Sequence, residues 1–92
     1  MAAGHGKLTA MIEVTIYSKP GCHLCDEAKA VLLKVQREEP FIWREVNIEE
    51  DAEAWEAFKE EIPVIFIGGR KAFKYHVSER ELLQRLRRER QT

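Results

Sequence analysis

Cys22 and Cys25 are the only two cysteines of the chain, and they stand three positions apart. A secreted mini-protein held by disulfides would show several cysteines at wide spacing, closing long loops. One close pair in a chain that is 45% hydrophobic argues for chemistry instead of stapling. Positions three apart on a helix hold their Cβ atoms about 5–6 Å from one another. A disulfide needs about 3.5–4.5 Å, and small shifts at a helix start supply the difference. The pair can therefore close and reopen without moving the fold, as thiol–disulfide exchange requires.

The flanking residues decide which cysteine is exposed. Ile12 to Tyr17 alternates with period two and is rich in β-branched residues, so it reads as a strand. Ser18-Lys19-Pro20-Gly21 breaks it. Leu24, Ala28, Val31, Leu32 and Val35 then recur at helical spacing, on a helix ending near Pro40. Cys22 thus opens a helix, where unsatisfied N–H groups and the positive dipole end favour an anion. Cysteines so placed have pKa values of roughly 3.5–7.5 instead of about 8.5. Lys19 and His23 can add positive charge beside the sulfur, and His23 reads equally well as a solvated residue of a first turn. Cys22 lies in the turn and Cys25 one turn deeper, so attack falls to Cys22 and resolution to Cys25. Pro20 cannot continue a ladder and Gly21 permits a tight approach, so both help to present Cys22.

Further elements must complete a sheet around this turn. Phe41 to Ile48 reads as a strand, and the internal charges Arg44 and Glu45 place it at an edge. Ala52, Trp55 and Phe58 mark a short helix within an acidic stretch that Pro63 ends. Val64-Ile65-Phe66-Ile67 is the continuous apolar run of a strand buried on both faces. Gly68-Gly69 signals a two-residue hairpin, with Arg70 to His76 as the returning strand. Ser78 and Glu81 form a capping box, flanked by a Val77–Leu82 staple, for a last helix burying Leu82, Leu83 and Leu86. The order β-α-β-α-β-β-α gives an α/β fold with a four-stranded mixed sheet flanked by helices. Residues 1–11 read as a flexible tail and 12–92 as one domain.

Ile16-Tyr17-Ser18-Lys19-Pro20-Gly21-Cys22-His23-Leu24-Cys25, with Ile62-Pro63-Val64 ahead of the buried strand, resembles the glutaredoxin family. The resemblance runs along nearly the whole chain from Ile12 and implies a thioredoxin-like fold. It implies a cis Ile62–Pro63 peptide beside the cysteines. It also assigns Lys19, Ile62 and Pro63 to substrate binding, the backbone of Ile62 pairing with the incoming chain. Glutaredoxins usually carry Gly-Gly and an acidic residue before the last helix, for the glutamyl end of glutathione. Phe73 to Ser78 has no such glycines, and His23-Leu24 replaces the common Pro-Tyr. The thioredoxin-type acid six residues before the first cysteine is absent too, since Ile16 is there. The chain is therefore glutaredoxin-like, with glutathione a possible co-substrate and no bound cofactor required.

Other readings of the same residues bound this one. Thiolates suit Cu(I) or Zn, but a closed zinc site needs four ligands, and His5, His23 and His76 show no ligand spacing. A metal-binding module on the thioredoxin fold, or a redox-inert binding module, is the rival reading. Arg80, Arg85, Arg87, Arg88 and Arg90 are interrupted by Glu79, Glu81 and Glu89, which suits a solvated helix face better than a nucleic-acid surface. Net charge is −1, so no bulk attraction to nucleic acid or anionic membrane is expected. Lys71 and Lys74 read as charges on an edge strand, and Trp43, Trp55, Phe58 and Phe66 as packing residues. No signal-peptide or membrane-spanning run is present. The expectation is a monomeric cytoplasmic thiol–disulfide oxidoreductase. It would act on disulfide-containing proteins or glutathione, with a reductase as electron donor.

Overall fold

The computed structural model describes residues 11–91. The expected flexible tail at 1–11, and His5 with it, lies outside the described residues apart from Met11. The chain runs β1 (Glu13–Ser18), α1 (His23–Gln36), β2 (Ile42–Asn47), α2 (Ala52–Phe58), β3 (Val64–Ile67), β4 (Arg70–Lys74) and α3 (Glu79–Arg90). A 3-10 turn at Ile48–Glu50, not anticipated from the sequence, joins β2 to α2. Asn47 caps it, its side-chain oxygen accepting the Glu49 N–H. Asp51 does the same for α2, accepting from Ala54 N–H at 3.1 Å.

The strands form one sheet in the order β2-β1-β3-β4. β1 and β2 are parallel, joined by the α1 crossover, and both β1–β3 and β3–β4 are antiparallel. Arg44 and Glu45 do mark an edge strand. β3 lies inside the sheet, which is why its four residues are all apolar. Gly68 and Gly69 have φ of +60° and +82°. A two-residue hairpin turn with both central residues at positive φ matches the twist of the strands, and glycine adopts it without a Cβ penalty.

Two departures from the sequence reading lie on β4. The strand ends at Lys74 and not at His76, because Tyr75 turns to a φ of +70° and leaves the ladder. A bulge also interrupts β3–β4 pairing, with Ile65 opposite Phe73 and Phe66 opposite Lys71. The extra residue is Ala72, so adjacent Ala72 and Phe73 both pack against the core.

The main core lies between one sheet face and the α1–α3 pair. Val14, Ile16, Ile65 and Ile67 of the sheet meet Ala28, Leu32 and Val35 of α1 and Leu82 and Leu86 of α3. Burying each leucine contributes about 1.5–3 kcal/mol. Ser78 caps α3, its hydroxyl accepting from Glu81 N–H at 3.0 Å. Val77 packs against the core cluster that contains Leu82. On the other face the rings of Tyr17, Phe58 and Phe66 meet at tilted and edge-on angles, the Tyr17 and Phe58 centroids 4.7 Å apart, and so seat α2. Among the described residues no helix is long and apolar enough to cross a membrane.

Candidate redox site

Strand register brings the site together. Ser18 ends β1 opposite Asn47 at the end of β2, and Tyr17 faces Val64 at the start of β3. Val64 in turn faces Lys74 at the end of β4. The loops at 19–22, 48–51, 60–63 and 75–78 therefore leave the same end of the sheet. Three sequence-distant segments share that end with the Cys22 turn.

The turn is built locally. Pro20 leaves the ladder, Gly21 takes a φ of +78°, and Cys22 N–H donates to the Lys19 carbonyl at 3.3 Å. Cys22 is the N-cap of α1, with extended backbone. Its Sγ accepts the backbone N–H of Cys25 at 3.1 Å, one of the orphan donors of a helix start. Cys22 and Cys25 are joined by a disulfide, their Cα atoms 5.2 Å apart. Cys25 is buried at 1% exposure, whereas Cys22 is half-buried. The covered and the reachable sulfur are those the spacing suggested.

A polar network that the sequence did not reveal lies beside the turn. Ser18 is buried, and its hydroxyl donates to Glu45 Oε2 at 2.5 Å. Lys29 Nζ lies 2.9 Å from the same oxygen and 3.7 Å from Asp26 Oδ1. The Ser18 hydrogen bond, with help from Lys29, holds Glu45 below its usual carboxylate range. The Glu45 hydrogen bond and charge raise Lys29. These groups and Lys19 line an open cleft of about 310 Å³ behind the Pro20-Gly21 turn. Ser18 and Glu45 are 27 positions apart, so no local pattern could have paired them.

The other expected site residues are placed as follows. Lys19 Nζ stands 6.0 Å from the centroid of the Trp55 ring. Trp55, read as a packing residue, is thus also a neighbour of the site, within reach of a cation–π contact. The Ile62–Pro63 peptide is cis. The Pro63 ring is fully buried and Ile62 half-buried. Ile62 precedes β3 and pairs in neither of its ladders. The Pro63 carbonyl accepts Tyr75 N–H at 2.8 Å, which ties Tyr75 to the loop that carries Ile62. The His23 imidazole is 88% exposed, and its Nε2 lies 3.5 Å from Glu27 Oε2, one turn along α1. Among the described residues no three His, Cys, Asp or Glu side chains cluster as a metal site would need.

Comparison with known proteins agrees with this architecture. The chain is 29% identical over 77 residues to the glutaredoxin-like protein YDR286C homolog of Dictyostelium discoideum, spanning 77% of this chain and 71% of that protein. A solved structure of the protein XcR50 from X. campestris matches with a TM-score of 0.71 at 26% identity, over 82% of this chain and 96% of that one. Thioredoxin-2 of a malaria parasite matches with a TM-score of 0.66 at 15% identity, over 85% of this chain and 82% of that one; that likeness is one of fold. The model of the glutaredoxin-like domain (DUF836) matches residues 13–87, every element from β1 into α3. With its thioredoxin-like sheet and its Cys22–Cys25 pair at disulfide distance, the chain belongs to the glutaredoxin-like domain family.

Proposed function

We propose that this protein is a thiol–disulfide oxidoreductase that reduces disulfides of proteins, or mixed disulfides with glutathione, through the Cys22–Cys25 dithiol. The observation that carries this reading is the disulfide at the helix start, with Cys25 N–H directed at Cys22 Sγ.

The steps follow from the two environments. In the reduced protein Cys22 is the thiolate, since the helix dipole and the Cys25 N–H stabilise negative sulfur. It attacks one sulfur of a substrate disulfide. That bond breaks, a mixed disulfide forms at Cys22, and the released thiolate takes a proton from solvent. Cys25 then loses its proton, attacks Cys22 Sγ and releases the second substrate thiolate. Two electrons have passed to the substrate, and the protein holds the Cys22–Cys25 disulfide. Two molecules of glutathione, or a reductase, restore the dithiol. No metal or prosthetic group takes part.

Lys19 offers a charge to an acidic substrate, and Ile62 offers its unpaired backbone edge. Pro63, buried, shapes that edge without touching the substrate through its ring. His23 is exposed, so water screens its influence on Cys22. A monomer in a reducing compartment such as the cytoplasm suits this role, and nothing in it calls for nucleic acid or membrane.

The test is intact mass across a series of glutathione redox buffers. Reversible loss of two hydrogens is expected, with a midpoint that gives the potential, and Cys22→Ser abolishes it. Cys25→Ser should accumulate a mixed disulfide with glutathione or substrate. A protein that shows neither form, and instead carries zinc or copper after anaerobic reduction, would be a metal-binding module.

A further inference from the structure

Tyr75 has an unusual backbone and an unusual set of partners. Its φ is +70°, and it is the one non-glycine residue with positive φ among those described. His76 N–H donates to the Lys74 carbonyl at 2.7 Å, closing a three-residue turn around Tyr75 of the rare positive-φ kind. A bulky side chain in this region costs about 1–2 kcal/mol, so the surroundings must hold it there. They do so from both ends of the loop before β3. Tyr75 N–H donates to the Pro63 carbonyl at 2.8 Å, and its hydroxyl donates to the Glu60 carbonyl at 3.1 Å. Next to it, Glu61 pairs with Lys71 at 2.5 Å and lies 3.9 Å from Lys74. The segment from Glu60 to Pro63 is thus clamped to the end of β4. The ring is not consumed by this contact, since Tyr75 remains 41% exposed. It walls a narrow cleft of about 100 Å³ whose other side is Leu24, Ala28 and Val31 of α1. Leu24 lies between the two cysteines.

We infer that Tyr75 is a positioning residue for polypeptide substrates: it fixes the Ile62 backbone edge through the Glu60 and Pro63 carbonyls and walls the cleft beside the disulfide. This rests on the disulfide-exchange reading. It follows that a substrate with a peptide chain to lay along Ile62 depends on Tyr75, and a small disulfide does not. The hydroxyl anchor is the separable part, because Tyr75→Phe keeps the ring, the turn and the bond to Pro63.

The experiment compares dithiothreitol-driven reduction of insulin, a polypeptide disulfide, with that of 2-hydroxyethyl disulfide, which has no peptide backbone. Tyr75→Phe should raise KM for insulin about three- to tenfold, the worth of one net hydrogen bond. Its kcat should stay within about twofold, the pattern of lost uniform binding. Kinetics with 2-hydroxyethyl disulfide should not change. Tyr75→Gly, which relieves the backbone and removes the ring, should match or exceed that KM effect without lowering Tm. An unchanged insulin KM in both variants, or equal losses with both substrates, would overturn the assignment. Wild-type protein that reduces neither substrate would instead remove the disulfide-exchange reading, and this inference with it.

Discussion

Cys25 N–H donates to Cys22 Sγ across 3.1 Å, so the residue proposed to resolve the mixed disulfide also polarises the residue proposed to attack. The donor is main chain and is fixed by α1, so it persists when the disulfide opens. Reduced Cys22 should therefore titrate below an ordinary thiol, read as the pH dependence of alkylation by iodoacetamide. His23→Ala should barely move that titration, because the imidazole is 88% exposed and water screens its influence. A shift of a full unit in that variant would make His23 a principal determinant.

Glu45 and Lys29 should shape the pH dependence of stability. Glu45 is held below its ordinary 4.5, first by the Ser18 hydroxyl. Its contribution is complete above that value and is lost as pH falls through the lower folded pKa. Lys29 is raised above its ordinary 10.5, first by the Glu45 hydrogen bond. Its contribution is complete below that value and is lost as pH rises through the higher folded pKa. Glu45→Gln should flatten both limbs, since it removes the acid and the partner of Lys29. Urea midpoints from pH 2 to 11 would show this, and an acid limb as steep as the wild type's would count against it.

Lys19 should act on charged substrates only. Lys19→Gln should lower kcat/KM for an anionic disulfide about two- to fivefold, as expected for a partly exposed charge, and leave a neutral disulfide unaffected. The difference should shrink at high salt. Equal losses with both substrates would assign the Lys19 side chain to shaping the turn in place of binding.

The Gly68-Gly69 hairpin should matter for stability and not for exchange, because it leaves the sheet at the end opposite the cysteines. At Gly69 a Cβ meets nothing within 4 Å, so Gly69→Ala tests backbone alone. It should cost about 1–2 kcal/mol, or roughly 4–15 °C in Tm. Gly68→Ala should cost more, since its Cβ falls 3.1 Å from Glu89 Oε2, the oxygen that pairs with Arg70. Equal losses would mean that the Glu89 side chain moves aside freely.

Much of this protein is written locally. Period-two alternation at Ile12 to Tyr17, the apolar run Val64 to Ile67 and the glycine pair each name an element by themselves, because strand pleat and turn handedness act over a few residues. The Cys22–Cys25 spacing and the Pro20-Gly21 break placed both sulfurs at a helix start for the same reason. What the sequence could not show depends on register between distant segments. Ser18 meets Glu45 because β1 and β2 pair in parallel, and Lys19 reaches the Trp55 ring and Tyr75 anchors the Glu60–Pro63 loop because their segments leave one end of the sheet. The bulge at Ala72 and the positive φ of Tyr75 are likewise tertiary. Neither residue type favours them, and packing against the core and the Pro63 loop imposes both.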